Sequence, residues 1–266
     1  MKITAHYPKE PLNQIFRECY YIHLESDYGT GQIPVIDDCC YDFVFFKEAS
    51  GAFYYGVDSR KVAIHSKVFT IHNVTPPYRI EAAGSLTFFT IKLQPWVNAH
   101  FFSSLQQSAV VDIVNTDATL LRFHNSVFKV DEFSDRFSLA MEFMQGNMFE
   151  PTPSMELVRE LCNYIYEKQG KVTVNQLSEY FEKSRQYLGK VFKKEVMYSL
   201  KKFIITVRIL DLVKFKAKNP DISLTQLSYD YGYFDQAHFI NDFKKVCGVV
   251  PLQFFNNLPE FLLRHQ

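Results

Sequence analysis

SLTQLSYDYGYFDQAHFINDFKKVCGVVP, residues Ser223–Pro251, is the stretch from which the rest of this chain can be read. It opens on Ser223 with Gln226 three residues later, the pairing of a capping box, in which each side chain satisfies an exposed amide of a helix start. Leu227 and Tyr231 follow at helical spacing, Gly232 interrupts, Phe239 and Phe243 resume the period, and Lys244-Lys245 and Gly248 close it. The pattern predicts a short helix, a tight turn and a second helix.

The same plan occurs once before. At an offset of 50, Thr173 falls on Ser223, Gln176 on Gln226, Leu177 on Leu227 and Phe181 on Tyr231. One residue inserted in the turn makes the offset 51, and Leu188 then falls on Phe239, Phe192 on Phe243 and Lys193-Lys194 on Lys244-Lys245. Apolar residues at the four matched positions pin two helices across each other and leave the polar, N-terminal side of the second free to enter a major groove. In the first copy that side carries Ser184, Arg185, Gln186, Gly189 and Lys190; in the second it carries Asp235, Gln236, His238, Asn241 and Lys244. Arg bonds guanine edges and Gln or Asn bonds adenine edges in bidentate fashion, so these residue types suit base readout in double-stranded DNA. Any one exposed Gln or Asn taken alone could equally be a solvated surface residue. Lys194, in the basic end of the first copy, suits a phosphate.

Charge agrees with this reading. The 266-residue chain is neutral overall, yet residues 1–170 hold 14 basic against 20 acidic side chains, while residues 171–266 hold 15 against 9. From Lys183 to Lys218 there are eleven basic residues and two acidic ones, an imbalance suited to a phosphate backbone. Ser199 to Lys218 reads as one long helix with Phe203, Val207, Leu210 and Val213 on its apolar side. At ~1.5 Å rise per residue it spans roughly 30 Å, close to the ~34 Å between successive major grooves on one face of DNA. One chain could thus read two adjacent grooves.

The remainder divides into a β-rich part and helices. Tyr41–Phe46, Gly51–Tyr55, Lys67–Ile71 and Leu86–Ile91 are short runs of β-branched and aromatic residues. They are punctuated by turn signals at 27–31, 49–51, 75–77 and 83–85, which predicts a sandwich or small barrel. Beyond Trp96 the period changes to three and four residues, through Ala99, Phe102 and Leu105, then Leu120, Leu121, His124 and Phe128, then Phe137, Leu139, Ala140 and Phe143. The prolines at 151 and 153 mark a boundary, with Thr152 and Pro153 suited to a helix cap and first position. The expectation is an α+β chain: an all-β domain with closing helices over 1–150, and an all-α domain over 151–266 with two helix-turn-helix modules joined by a long helix.

Arg208-Ile209, Ile222-Ser223-Leu224-x-x-Leu227, Tyr231-Gly232-Tyr233-x-Asp235-Gln236-x-His238-Phe239, Phe243-Lys244-Lys245, Gly248 and Pro251 resemble the signature of the AraC-type transcription regulators. The resemblance covers residues 155–256 and implies specific binding of promoter DNA in the bacterial cytoplasm, governed by the other domain. Residues 33–46 and 88–96 resemble, more faintly, the degenerate cupin-like sensor domains of such regulators. This implies a barrel that takes a small-molecule effector or pairs with a second subunit, with a homodimer contact expected through the helices of residues 116–145. The chain departs from the family pattern at Tyr233, Leu212, Phe255-Asn256 and above all Met197, which stands where the family has a glycine. Glycine there permits a left-handed turn, so the turn leaving the first module is expected to differ.

A metal-binding cupin-type enzyme fused to a helical DNA-binding module would need a His-x-His and a carboxylate, and His6, His23, His65, His72, His100 and His124 supply no such spacing. No enzyme activity, metal or cofactor is therefore expected. A repair or architectural protein would show a reactive cysteine in basic surroundings; Cys19, Cys39 and Cys40 lie among apolar or acidic residues, Cys39 and Cys40 read as small buried strand residues, and Cys247 reads as packing. The β-rich part could instead serve self-association alone, its Phe43, Phe45, Phe53, Tyr55, Phe69, Phe88 and Trp96 forming a plain core. No apolar run of 18 residues and no secretory signal occurs, so no membrane span and a reducing cytoplasm are expected.

Overall fold

The computed structural model describes residues 2–25, 31–48, 52–55, 61–72, 78–82, 84–256 and 258, without the side chains at 31–35, 52–55, 78, 79 and 82. The turn signals at 27–30, 49–51, 75–77 and 83 lie outside these residues, as do the side chains of Phe53 and Tyr55.

Among the described residues, ten strands make up the β-rich part: β1 (Lys2–His6), β2 (Phe16–Leu24), β3 (Gly31–Val35), β4 (Asp42–Phe46), β5 (Ala52–Tyr55), β6 (Lys61–Ala63), β7 (Val68–His72), β8 (Tyr78–Ala82), β9 (Leu86–Leu93) and β10 (Ala109–Asp112). They pair antiparallel in two sheets, ordered β1-β2-β9-β4-β7-β10 and β3-β8-β5-β6. The all-β first domain is thus present as two sheets; the runs marked in the sequence are β4, β5, β7 and β9, and β1, β2, β3, β6, β8 and β10 were not marked individually. β4 and β9 read as continuous apolar runs because they lie in the middle of the larger sheet and bury both faces. β6, at an edge of the smaller one, is three residues long, starts on a lysine and is exposed throughout, which discourages further strand pairing.

Ten helices are described: α1 (Asn98–Phe102), α2 (Ala118–Val127), α3 (Phe133–Gly146), α4 (Pro153–Glu167), α5 (Val174–Tyr180), α6 (Arg185–Val196), α7 (Leu200–Lys218), α8 (Leu224–Asp230), α9 (Gln236–Cys247) and α10 (Pro251–Asn256). Against the larger sheet, α2 and α3 bury an aromatic cluster: the Phe123 ring lies 4.8 Å from Phe45, 5.6 Å from Phe89 and 5.0 Å from Phe143. Thr152 caps α4 by accepting the Met155 amide, with Pro153 in the first turn where its missing N–H is not needed.

By packing, the chain separates into two compact units. One comprises residues 1–35, 40–94 and 104–150; the other comprises 36–39, 95–103 and 151–266. The last crossing falls at the Pro-rich boundary after Glu150. Two short segments, Ile36–Cys39 and Pro95–Ser103, belong to the second unit although they lie among the strands in sequence. Cys39 and Cys40 are buried, but neither sits in a strand as expected: Cys39 has φ 63° and forms a bend before β4. The pair sits where the chain must turn.

Candidate nucleic-acid interface

Both copies of the repeated motif fold as helix-turn-helix modules, α5–α6 and α8–α9, on the apolar positions that the repeat matched. Leu177, Leu188 and Phe192 in one, and Leu227, Phe239 and Phe243 in the other, have at most 2% of their surface exposed. In each module these residues sit where the two helices cross, which fixes the angle at which the second helix is presented. The link α7 runs for 19 residues, about 28 Å at the usual helical rise. It serves both cores: Phe203 packs on Phe192 at 5.1 Å, and Ile209, Leu212 and Val213 enter the core of the second module. Close packing of the link also requires Gly170, at φ 68°, because a Cβ there would stand 2.5 Å from the backbone nitrogen of Arg208. The Arg208 guanidinium then donates to the carbonyl oxygens of Gly170 and Val172.

The modules are tied to each other through Tyr231 at the end of α8. Its hydroxyl donates to Asp211 Oδ2 on α7 at 2.6 Å, and Lys171 Nζ lies 4.1 Å from its ring centroid. Burial first, and then the Asp211 carboxylate, holds the Tyr231 phenol above its ordinary range.

The side chains singled out from the sequence all reach the surface except Gly189, which is half-buried. Their geometry sorts them. Ser184 and Asp235 are helix caps, accepting the amides of Tyr187 and His238, so their side-chain oxygens are committed to holding the starts of α6 and α9. Arg185 and Gln236 occupy the first helical position in each module and are supported alike: Arg185 Nη1 donates to Asn175 Oδ1 at 3.1 Å, and Gln236 Nε2 donates to Thr225 Oγ1 at 2.7 Å. Asn175 and Thr225 are themselves equivalent by the repeat, and the sequence pattern did not single them out. Arg185 keeps further N–H donors and Gln236 its amide oxygen for another partner. His238 is drawn back into its module, with Nε2 3.3 Å from the buried Asp242. Lys194 lies 3.1 Å from Glu195. Gln186, Lys190, Asn241 and Lys244 project into solvent.

One exposed residue escaped the sequence reading. Phe234 is 91% exposed in the turn directly before Asp235. The repeat aligns Phe234 with Lys183, so both stand directly before the helix caps Asp235 and Ser184.

Residues 177–257 match a family model described as a helix-turn-helix domain. Of curated proteins, the Msm operon regulatory protein of Streptococcus mutans serotype c is similar, 27% identical over 152 residues. The match takes in 56% of this chain and 53% of the relative, so the chain spans about half the length of that relative. Among solved structures, ToxT from Vibrio cholerae is similar at 12% identity, covering 92% of this chain and 97% of that one with a TM-score of 0.46. The C-terminal domain of AraT from Geobacillus stearothermophilus is similar at 23% identity, covering 43% and 87% with a TM-score of 0.34.

Two structural details of this helix-turn-helix domain differ from expectation. The turn leaving the first module matches the second after all: Met197 takes φ 67°, ψ 3°, the left-handed conformation that Gly248 takes at φ 80°, ψ −17°. Met197 stands between the buried Val196 and Tyr198, and its amide donates to the Lys193 carbonyl oxygen. The capping box closes in both directions only at Thr173 and Gln176; Ser223 accepts the Gln226 amide, but the Gln226 side chain donates to Asp230 Oδ1 at 2.7 Å. Cys247 is packed against the second core, and burial raises its thiol above the ordinary range, so it lacks thiolate character.

Proposed function

We propose that this chain is a sequence-specific regulator of transcription that reads two adjacent major grooves of promoter DNA with α6 and α9. The observation that carries the reading is the equivalent placement of Arg185 and Gln236, each at the first turn of an exposed helix, each braced by the matching residue of the preceding helix. Such bracing holds a long polar side chain in one orientation before it meets a base, which lowers the entropy lost on binding. The exposed Gln186, Lys190, Asn241 and Lys244 complete the presented faces, with Lys194 in support as a backbone contact.

The β-rich unit supplies control in this reading, through a small-molecule effector or through a second copy of the chain. Glu18, Lys92 and Asp42 stand opposite one another on β2, β9 and β4, with Glu18 and Lys92 buried and Lys92 Nζ 3.3 Å from Asp42 Oδ1. This buried charged row within the larger sheet is the feature on which a polar effector is proposed to act. Leu121, exposed on α2, favours the copy-to-copy contact over residues 116–145. The expected setting is cytoplasmic, and no catalytic chemistry is assigned.

Selection of bound sequences from a random duplex pool by the full chain tests the reading. Two enriched half-sites about one helical turn apart are expected; recovery of no preferred sequence would refute it. Sedimentation at increasing concentration and mass spectrometry of co-purified small molecules separate the two modes of control.

A further inference from the structure

The joint where α6 gives way to α7 is held by residues from far earlier in the chain. Asn98, the first residue of α1, has none of its surface exposed, and its side-chain nitrogen donates to two carbonyl oxygens: Val196, the last residue of α6, at 3.0 Å, and Cys39 at 2.9 Å. Both amide hydrogens are thereby used. The Cys39 end of this bridge is itself anchored on α7. The Cys39 amide donates to Asp37 Oδ1 at 2.9 Å, Lys202 Nζ donates to Asp37 Oδ2 at 2.8 Å, and Cys39 Sγ lies 3.8 Å from Thr206 Oγ1. Lys202 and Thr206 are one turn apart on α7, so the bend at Ile36–Cys39 grips that helix at two levels while Asn98 ties it to α6.

We propose that Asn98 is a positioning residue for the first recognition helix, and that through it the DNA contact of the first module depends on the seating of Ile36–Cys39 and Pro95–Ser103. These segments adjoin β3, β4 and β9 in sequence: Ile36 follows the last residue of β3, and Pro95 comes two residues after the end of β9. A change in those strands therefore reaches the α6–α7 joint through a few peptide bonds. The joint is also where the first module carries Met197 in a conformation that glycine prefers, so the buried bridge holds in place a turn with an intrinsic tendency to relax.

The proposal uses the DNA reading above for only one of its two readouts. Hydrogen exchange of the full chain without DNA, for wild type, Asn98→Leu and Asp37→Ala, is the first. Asn98→Leu should raise exchange in residues 193–200 by about tenfold, the scale of lost buried hydrogen bonds, and leave residues 244–250 unchanged. Asp37→Ala, which leaves Asn98 and the contact of Lys202 with the Tyr198 ring in place but frees the Cys39 amide, should do the same to a smaller degree, and it decides the matter if Asn98→Leu does not fold. Equal loosening of both segments, or none, would overturn the proposal. The second readout is affinity for a duplex bearing both half-sites and for one with the first-module half scrambled. The variants should bind the first duplex more weakly and the second like wild type; a loss that persists on the scrambled duplex would mark a general structural defect and overturn the positioning role. Selective exchange in a protein whose wild type prefers no sequence would leave the latch standing and remove the DNA reading.

Discussion

In the first module Thr173 and Gln176 bond each other in both directions, the recognition helix starts with Arg185 and ends on Met197, and its core is shared with α4 and with the segment from Pro95 to Ser103. In the second, Gln226 turns away to Asp230, the helix starts with Gln236 and ends on Gly248, and the core is completed by α10, with Phe254 5.3 Å from Phe243. What the two share is the apolar frame of Leu177, Leu188 and Phe192 against Leu227, Phe239 and Phe243. Burial of a large side chain is worth several times the value of a cap or a turn residue. The frame therefore determines the plan, and the polar details around it can diverge without changing it.

The largest test of that comparison removes the frame. Phe192→Ala and Phe243→Ala should each cost about 3–5 kcal/mol, the range for emptying a buried aromatic site. Because α7 enters both cores and Tyr231 joins them through Lys171 and Asp211, hydrogen exchange should show both modules losing protection in either variant. Loss confined to the mutated module would show that the two cores are independent.

The next effect distinguishes what each module reads. Arg185→Ala and Gln236→Ala should each relax preference at different base pairs by about 1–3 kcal/mol, without a matching loss of thermal stability. Phe234→Ser, at a site where the first module has Lys183, should also leave stability unchanged to within about 0.5 kcal/mol while weakening binding at the second half-site. Wild-type selectivity in all three variants would remove these residues from the interface. The capping boxes give a smaller contrast. Gln176→Ala breaks a closed box and should cost roughly 0.5–1 kcal/mol, whereas Gln226→Ala only loses a surface bond to Asp230 and should cost about half of that or less, as denaturant titration would show.

The repeat was legible because hydrophobic spacing in a helix pair is local: four positions in about twenty residues define it. The strands β4, β7 and β9 were legible for the same reason, since central strands need apolar residues on both faces. What stayed hidden depends on residues distant in sequence. Asn98 reads as an ordinary polar residue in a helical stretch, and only its place between Cys39 and Val196 gives it a role. The bracing of Arg185 by Asn175 and of Gln236 by Thr225 was likewise out of reach, since exposed Asn and Thr carry no periodic signal. β10 was missed because Ala109–Asp112 is only four residues long, and half of its pattern is half-buried. The family resemblance drew attention to Met197 but implied the wrong outcome: a missing glycine changes the energy of a turn before it changes its shape, when the flanking residues are buried.

The exit turns provide the smallest contrast and a direct measure of that last point. A non-glycine residue in the left-handed region costs roughly 1–2 kcal/mol, and Met197 bears that cost at φ 67° while Gly248 avoids it at φ 80°. Met197→Gly removes the strain, but it also gives the unfolded chain more freedom, worth about 0.5–1 kcal/mol in the opposite direction, and it gives up the packing of a half-buried side chain. The net change should therefore be small, within about 1 kcal/mol and of either sign. Gly248→Ala has no such compensation: it introduces the strain and should lose about 1 kcal/mol or more. Equilibrium unfolding of the two variants compares the turns directly. If Met197→Gly stabilised the chain by much more than about 1 kcal/mol, the first module would be held in its turn against greater strain than its backbone angles imply, and the buried neighbours Val196 and Tyr198, with the Asn98 bridge, would have to supply the difference.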